Sequence, residues 1–218
     1  MTDDSDAPDA HDDPVTRGGR LDADVRRAAA AAADGDLVVY PTETVYGLGG
    51  DALDPDAVGR VFELKRRDRG NPLSLGVASV DAALRYTRPT ELAVDFARAF
   101  LPGPVTVVVE RDDAVPDALT AGRDRVGIRV PDHPVARDLL DSAGPLTATS
   151  ANVSGAGSVT RPADLDDRIR EGVAAVVDDG ETPGTESTVV DPDAGRIHRR
   201  GAMAGAIEAW LDDPPVEE

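Results

Sequence analysis

Cysteine is absent from the 218-residue chain, and lysine occurs once, at position 65. Without cysteine there are no disulfides, no thiolate metal ligands and no sulfur nucleophile. Aromatic residues make up only 3% of the chain, so its core must come from Val, Leu, Ile and Ala. Such residues suit a sheet covered by alanine-rich helices. No apolar run approaches the roughly 18 to 20 residues of a membrane span. The N-terminus also lacks the basic-then-apolar layout of a signal peptide, so a soluble, cytoplasmic protein with no membrane partner is expected. Neither G-x-x-x-x-G-K-[ST] nor G-x-G-x-x-G occurs, which removes the two commonest nucleotide-binding loops.

Acidic residues outnumber basic ones by 42 to 23, a formal net charge of −19. With arginine supplying nearly all the basic charge, this is the composition expected in molar salt, and a halophilic archaeal cytoplasm is the predicted habitat. So negative a chain would normally repel polyanions. At molar ionic strength, however, the Debye length is about 3 Å, so a local phosphate site is decided by its contacts alone.

Length and uniform composition predict one domain over residues 20–211. Residues 1–19, rich in Asp and Pro, read as a disordered acidic arm, and 212–218 as an acidic tail. Between them helices and strands alternate. "LDADVRRAAAAAADG", "DPDAVGRVFELKRR", "TELAVDFARAFL", "HPVARDLLDSA" and "RPADLDDRIREG" read as helices, with a last helix near 204–211. "DLVVYPT", "PLSLGVA", "PVTVVVE", "RVGIRV", "GPLTATS", "VAAVVDDG", "STVVD" and "RIHRR" read as strands. Some strands follow one another directly, so the predicted fold is α/β with a mixed, twisted sheet flanked by helices.

Four polar or glycine-rich segments fall at strand ends, where ligands of α/β folds collect. "YPTETVYGLGGDA" suits a hairpin turn or a ligand loop. "KRRDRGNPLSL" suits a helix C-terminus, or a polyanion cradle in which a compact ammonium and a planar guanidinium play different parts. "TSANVSGAGSVTRP" suits an ordinary turn or a phosphate loop. "DDGETPGTESTVVD" is the fourth. Singly, each supports only an α/β domain with an anion site.

In order, "YPTETVYGLGGDA", Lys-x-Arg with "NPL", "LPGPVTVVV", "VGIRVPDHPVA", "TSANVSG", "ESTVVD" and an arginine two residues before Gly201 resemble the YrdC-like threonylcarbamoyl-AMP synthases. The resemblance runs from about residue 20 to 205 and is to the short, single-domain form. It implies a concave ligand cavity and a reaction in which L-threonine, bicarbonate and ATP give threonylcarbamoyl-adenylate and pyrophosphate. That product would feed the t6A modification of tRNA through a downstream KEOPS-type transferase complex.

Residue by residue, the resemblance puts Lys65, Arg67, Ser150 and Asn152 around the triphosphate and the reacting carbonate. Asn71, Ser158 and Arg199 match further ATP-contacting positions, with Arg200 a rival to Arg199. Thr42, Arg129 and Ser187 match threonine-binding positions, Arg129 facing its carboxylate, and Tyr46 would wall that pocket. Two positions depart from the pattern: Gly76 stands where many archaeal members have histidine, and Arg125 where threonine is common. Mg²⁺ would be held mainly by the ATP phosphates, and no protein metal site is expected. His11, His133 and His198 read as structural or solvated. Two other readings stay open: a double-stranded RNA or tRNA-binding module without ATP chemistry, RNA contact otherwise being secondary, and a dihydroxybutanone-phosphate synthase, which would want clustered acidic ligands.

Overall fold

The computed structural model of the protein describes residues 14–213. In chain order its elements are α1 (Pro14–Ala33), β1 (Val38–Tyr40), β2 (Gly47–Gly49), α2 (Pro55–Lys65), β3 (Ser74–Gly76), α3 (Val80–Ala83), α4 (Glu91–Phe100) and β4 (Val105–Glu110). They continue with α5 (Asp117–Thr120), β5 (Arg125–Arg129), α6 (Pro134–Ala143), β6 (Leu146–Ser150), α7 (Asp167–Glu171), β7 (Ala175–Val176), β8 (Thr188–Asp191), β9 (Arg196–Arg199) and α8 (Ala204–Asp212).

The nine strands form one mixed sheet in the order β7-β1-β2-β6-β3-β5-β4-β8-β9, as the alternating pattern predicts. Local chemistry sets several boundaries. Asp54 caps α2 by accepting from the Asp56 amide, with Pro55 at the first helical position, where its missing N–H is harmless. Thr90 caps α4 through the Ala93 amide.

Three expectations change. Helix α1 starts at Pro14, so the last six residues of the segment read as an arm are helical, proline again suiting a helix start; residues 1–13 and 214–218 lie outside the described residues. The helix expected over 161–172 is split into a 3₁₀ turn at Pro162–Asp164 and α7, because Leu165 runs extended into the core and Asp166 recaps the chain. The glycine-rich "YGLGG" contains a strand of its own, β2, paired with β1 from Val38↔Gly49 to Tyr40↔Gly47.

Strand alternation places the site. On β5, Val126 and Ile128 point into the larger core with Leu73, Leu75, Val105 and Val107, against α2, α4, α5, α7 and α8. On the opposite face a second core of α1 and α6 covers Val38, Tyr40 and Leu146 in one half of the sheet. Beyond it a cavity of about 770 Å³ opens over β3, β5, β4, β8 and β9.

Candidate active site

Small and cationic side chains build the cavity floor. Ser74, Gly76, Thr106, Val108, Gly127 and Ala148 leave room above the sheet, while Arg67, Arg123, Arg125, Arg129 and Arg199 border it. Pairing of Thr106 with Val189 and of Val189 with Arg199 carries one row across β4, β8 and β9. A register shift between Val189 and Val190 breaks the alternation on β9, so the consecutive His198 and Arg199 both reach the cavity.

Arginine pairing separates two kinds of charge here. Arg125 is bound to Asp191 at 2.7 Å and Arg129 to Glu43 at 2.5 Å. Arg67 donates instead to the carbonyls of Asn71 (2.9 Å) and Pro72 (3.0 Å), and Arg123 to that of Gly70 (3.1 Å). Arg199 donates to the Ser187 carbonyl (3.1 Å) and hydroxyl (2.7 Å). Among the described residues these last three have no carboxylate partner, in a protein with 42 acidic residues. Burial and the nearby charge of Arg199 hold the Arg67 guanidinium below its ordinary pKa. Two cations this close favour a negative charge between them.

Lys65 stands beneath this layer, 2% exposed. Arg66, in left-handed conformation at φ 50°, ends α2 so that Lys65 turns inward while Arg67 borders the cavity. The Lys65 ammonium donates to the carbonyls of Ser150 and Asn152, the latter at 2.6 Å, and the Ser154 amide returns a bond to the Lys65 carbonyl at 2.8 Å. Ser150 in turn donates its hydroxyl to Asn152 Oδ1. Burial, then the Arg67 charge, pulls the Lys65 pKa down to about 8.

Of the residues singled out in the sequence, Thr42, Arg67, Asn71, Arg129, Ser150, Ser158, Ser187 and Arg199 line one cavity. Lys65 and Asn152 support it from behind. Arg200 turns away to Glu208 on α8, which leaves Arg199 as the cavity arginine. Tyr46 corrects the expectation of a pocket wall. It is fully buried in the larger core, and its hydroxyl donates to the Gly180 carbonyl at 2.7 Å. An aromatic ring at that point fills the core better than the cavity, and Tyr40, packed over Gly47 and Gly49, borders the cavity instead. Burial pushes both phenols up to about 12.

Sequence reasoning passed over Arg123, Asp191 and Glu43, and read His198, which borders the cavity, as structural or solvated. For Arg125 and Arg129 the signal was the period-2 pattern of "RVGIRV", with both arginines on the face opposite Val126 and Ile128. For Glu43 and Asp191, whose partners lie 86 and 66 residues away, no local signal exists. Among the described residues no group of three or more His, Asp or Glu could hold a metal ion, and no helix is long and apolar enough to cross a membrane.

An open half-sheet bordered by guanidiniums and floored by small side chains defines an α/β domain with a concave, cation-rich cavity. Residues 30–201 match the Sua5/YciO/YrdC family model, described as telomere recombination, and the chain belongs to that family. It is 42% identical over 171 residues to the threonylcarbamoyl-AMP synthase of Pyrococcus abyssi, covering 77% of this chain and 50% of that one. To the threonylcarbamoyl-AMP synthase of Bacillus subtilis it is 41% identical over 177 residues, covering 78% and 50%. The crystal structure of P. abyssi Sua5 complexed with L-threonine matches with a TM-score of 0.75 and 39% identity, over 81% of this chain and 54% of that one. The chain thus spans about half the length of these relatives.

Proposed function

We propose that the chain is an L-threonylcarbamoyladenylate synthase, converting L-threonine, bicarbonate and ATP into threonylcarbamoyl-AMP, pyrophosphate and water. One observation carries this reading: Arg67, Arg123 and Arg199 converge on one cavity without carboxylate partners among the described residues, in a chain of net charge −19. The names of its relatives and the threonine complex of P. abyssi Sua5 support the same conclusion.

The chemistry fits these side chains. The threonine amine attacks the carbon of bicarbonate or carbon dioxide, and a carbamate oxygen then attacks the α-phosphorus as pyrophosphate leaves. Both steps bring anions together, so alignment and fixed positive charge matter more than a strong base. Arg129 is assigned the threonine carboxylate, with Thr42 and Ser187 beside it. Arg67, Arg199, Asn71 and Ser158 are assigned the triphosphate, and Ser150, with Asn152 and Lys65 behind it, the reacting carbonate. ATP enters as its magnesium complex, the metal held by the phosphates. That matches a cavity wall rich in guanidinium, whose one buried carboxylate, Asp191, is already bound by Arg125.

The proposed setting is the cytoplasm of a halophile, with the adenylate passed to a KEOPS-type transferase for t6A formation. A concave pocket for one small molecule favours this over a duplex-RNA surface. Pyrophosphate release from ATP in molar KCl tests the proposal. Release that requires both threonine and bicarbonate is expected, and folded protein that binds tRNA yet releases no pyrophosphate would overturn it.

A further inference from the structure

We infer that Glu43 makes the Arg129 site selective for amino acids over plain carboxylates of the same shape. The inference rests on the reading of this site as the threonine subsite.

Arg129 is 7% exposed and largely committed. Its Nη1 donates to the carbonyls of Gly103 and Val105, the latter at 3.0 Å, and its Nη2 to Glu43 Oε1 at 2.5 Å. Among the described residues its Nε–H and one Nη2 hydrogen have no acceptor, and the residue borders the cavity. Glu43 does not line that cavity itself; it is bonded to Arg129, which does, and lies between Thr42 and Thr44, which do as well. Its other oxygen, Oε2, is buried and accepts no hydrogen bond, the one buried carboxylate oxygen so placed among the described residues. Closed to solvent, that oxygen takes no donor from the cavity, so Glu43 acts on a bound molecule through its charge.

The consequence follows from charge. Arg129 and Glu43 form a pair with no net charge in a site poorly screened by solvent. A plain carboxylate drawn to Arg129 also meets the Glu43 charge, and the two effects oppose each other. An amino acid carries an ammonium on the carbon next to its carboxylate, so its two ends match both members of the pair. The other groups around Glu43 do not undo this. Tyr40 keeps its proton, with its pKa near 12, and His133 already faces Asp179 at 3.7 Å. Arg199 acts on Arg129 across the cavity and favours every carboxylate alike.

The test compares L-threonine with 3-hydroxybutanoate, which is threonine without its amino group. Isothermal titration in molar KCl would give both affinities for the wild type, Glu43→Gln and Glu43→Asp, with circular dichroism checking each fold. The wild type is expected to prefer threonine by about tenfold or more, the scale of one charge-assisted contact. Glu43→Gln should bring the two ligands within about threefold, partly because the analogue binds more tightly, and Glu43→Asp should keep most of the preference. A full preference in Glu43→Gln, or equal binding of both ligands to the wild type, would overturn the inference. A wild type that binds neither overturns the threonine subsite itself.

Discussion

The ammonium of Lys65 donates to the main-chain carbonyl of Asn152 at 2.6 Å, bolting the turn after β6 to the end of α2. The sole lysine is therefore not a surface cation on the cavity but a buried one directly beneath it. Its pKa of about 8 reflects burial first and the Arg67 charge second. An anion bound above the turn favours the charged form and raises that value. At pH 8, where roughly half of Lys65 carries its extra proton, ATP or pyrophosphate binding is expected to take up protons from solution. Titration calorimetry in two buffers of different ionisation enthalpy reads this directly, and zero uptake at pH 8 contradicts it. The empty protein adds a second sign. Between pH 8 and the ordinary lysine value of 10.5 the unfolded chain binds more protons than the folded one, so this group makes stability rise with pH in that window.

The same burial explains why arginine does not replace this lysine. A guanidinium is planar and wider than an ammonium, and the slot between the Ser150 and Asn152 carbonyls belongs to a residue only 2% exposed. Lys65→Arg is expected to destabilise the fold by about 1–3 kcal/mol through overpacking. Displacing the turn should also lower pyrophosphate release by roughly a hundredfold, the scale of a misplacement of about 1 Å. Thermal unfolding and the release assay check both, and a variant that keeps full stability and activity makes the lone lysine an accident of composition.

Gly201 lets the chain after β9 pass against the segment that carries Ser187. A Cβ there would lie 2.3 Å from the Glu186 carbonyl oxygen and 2.5 Å from the Ser187 carbonyl carbon, both rigid backbone. Gly201→Ala must therefore shift Ser187, the residue that holds Arg199 through its carbonyl and hydroxyl. A loss of about 1–3 kcal/mol in urea unfolding is expected, with weaker nucleotide binding. Gly205, in α8 with nothing within 4 Å of its Cβ position, is the control. Gly205→Ala should leave stability unchanged or raise it by up to about 1 kcal/mol.

How much of this was legible depends on how far apart the cooperating residues lie. Strand β5 announced itself: Val126 and Ile128 alternate with Arg125, Gly127 and Arg129, which fixes both the core face and the cavity face. Asp54 and Thr90 head two segments that read as helices, and each caps its helix through its own side chain, a signal of the same local kind. Lys65 could be singled out but not placed, because its inward turn needs Arg66 in left-handed conformation and a partner loop 85 residues on. Tyr46 was misread for a related reason. It sits in a loop dense with site residues, yet its bond to Gly180 and its burial are set by tertiary packing. Nothing local distinguishes its side from that of Thr42. The 14–19 segment joined α1 although its composition is that of an arm, an example of weak propensity overridden by the helix it continues.

Net charge gives the last prediction. A chain with 42 acidic and 23 basic residues repels itself, and the repulsion opposes the compact state most at low ionic strength. Screening shortens from about 10 Å at 0.1 M salt to about 3 Å at 1 M, so added KCl should stabilise the fold. The unfolding temperature is expected to rise by several degrees between 0.1 and 2 M KCl. An equal osmolarity of sucrose serves as the uncharged control and should give a smaller rise, since excluded solutes stabilise without screening. Ligand binding should respond less than stability does. Arg67 and Arg129 are partly or fully buried and their contacts are short, so pyrophosphate should still bind at 2 M KCl, whereas duplex RNA held by exposed arginines would be released as counterions compete. An unfolding temperature that stays flat or falls with KCl removes the halophilic reading, and pyrophosphate binding lost as steeply as RNA binding removes the enclosed anion site.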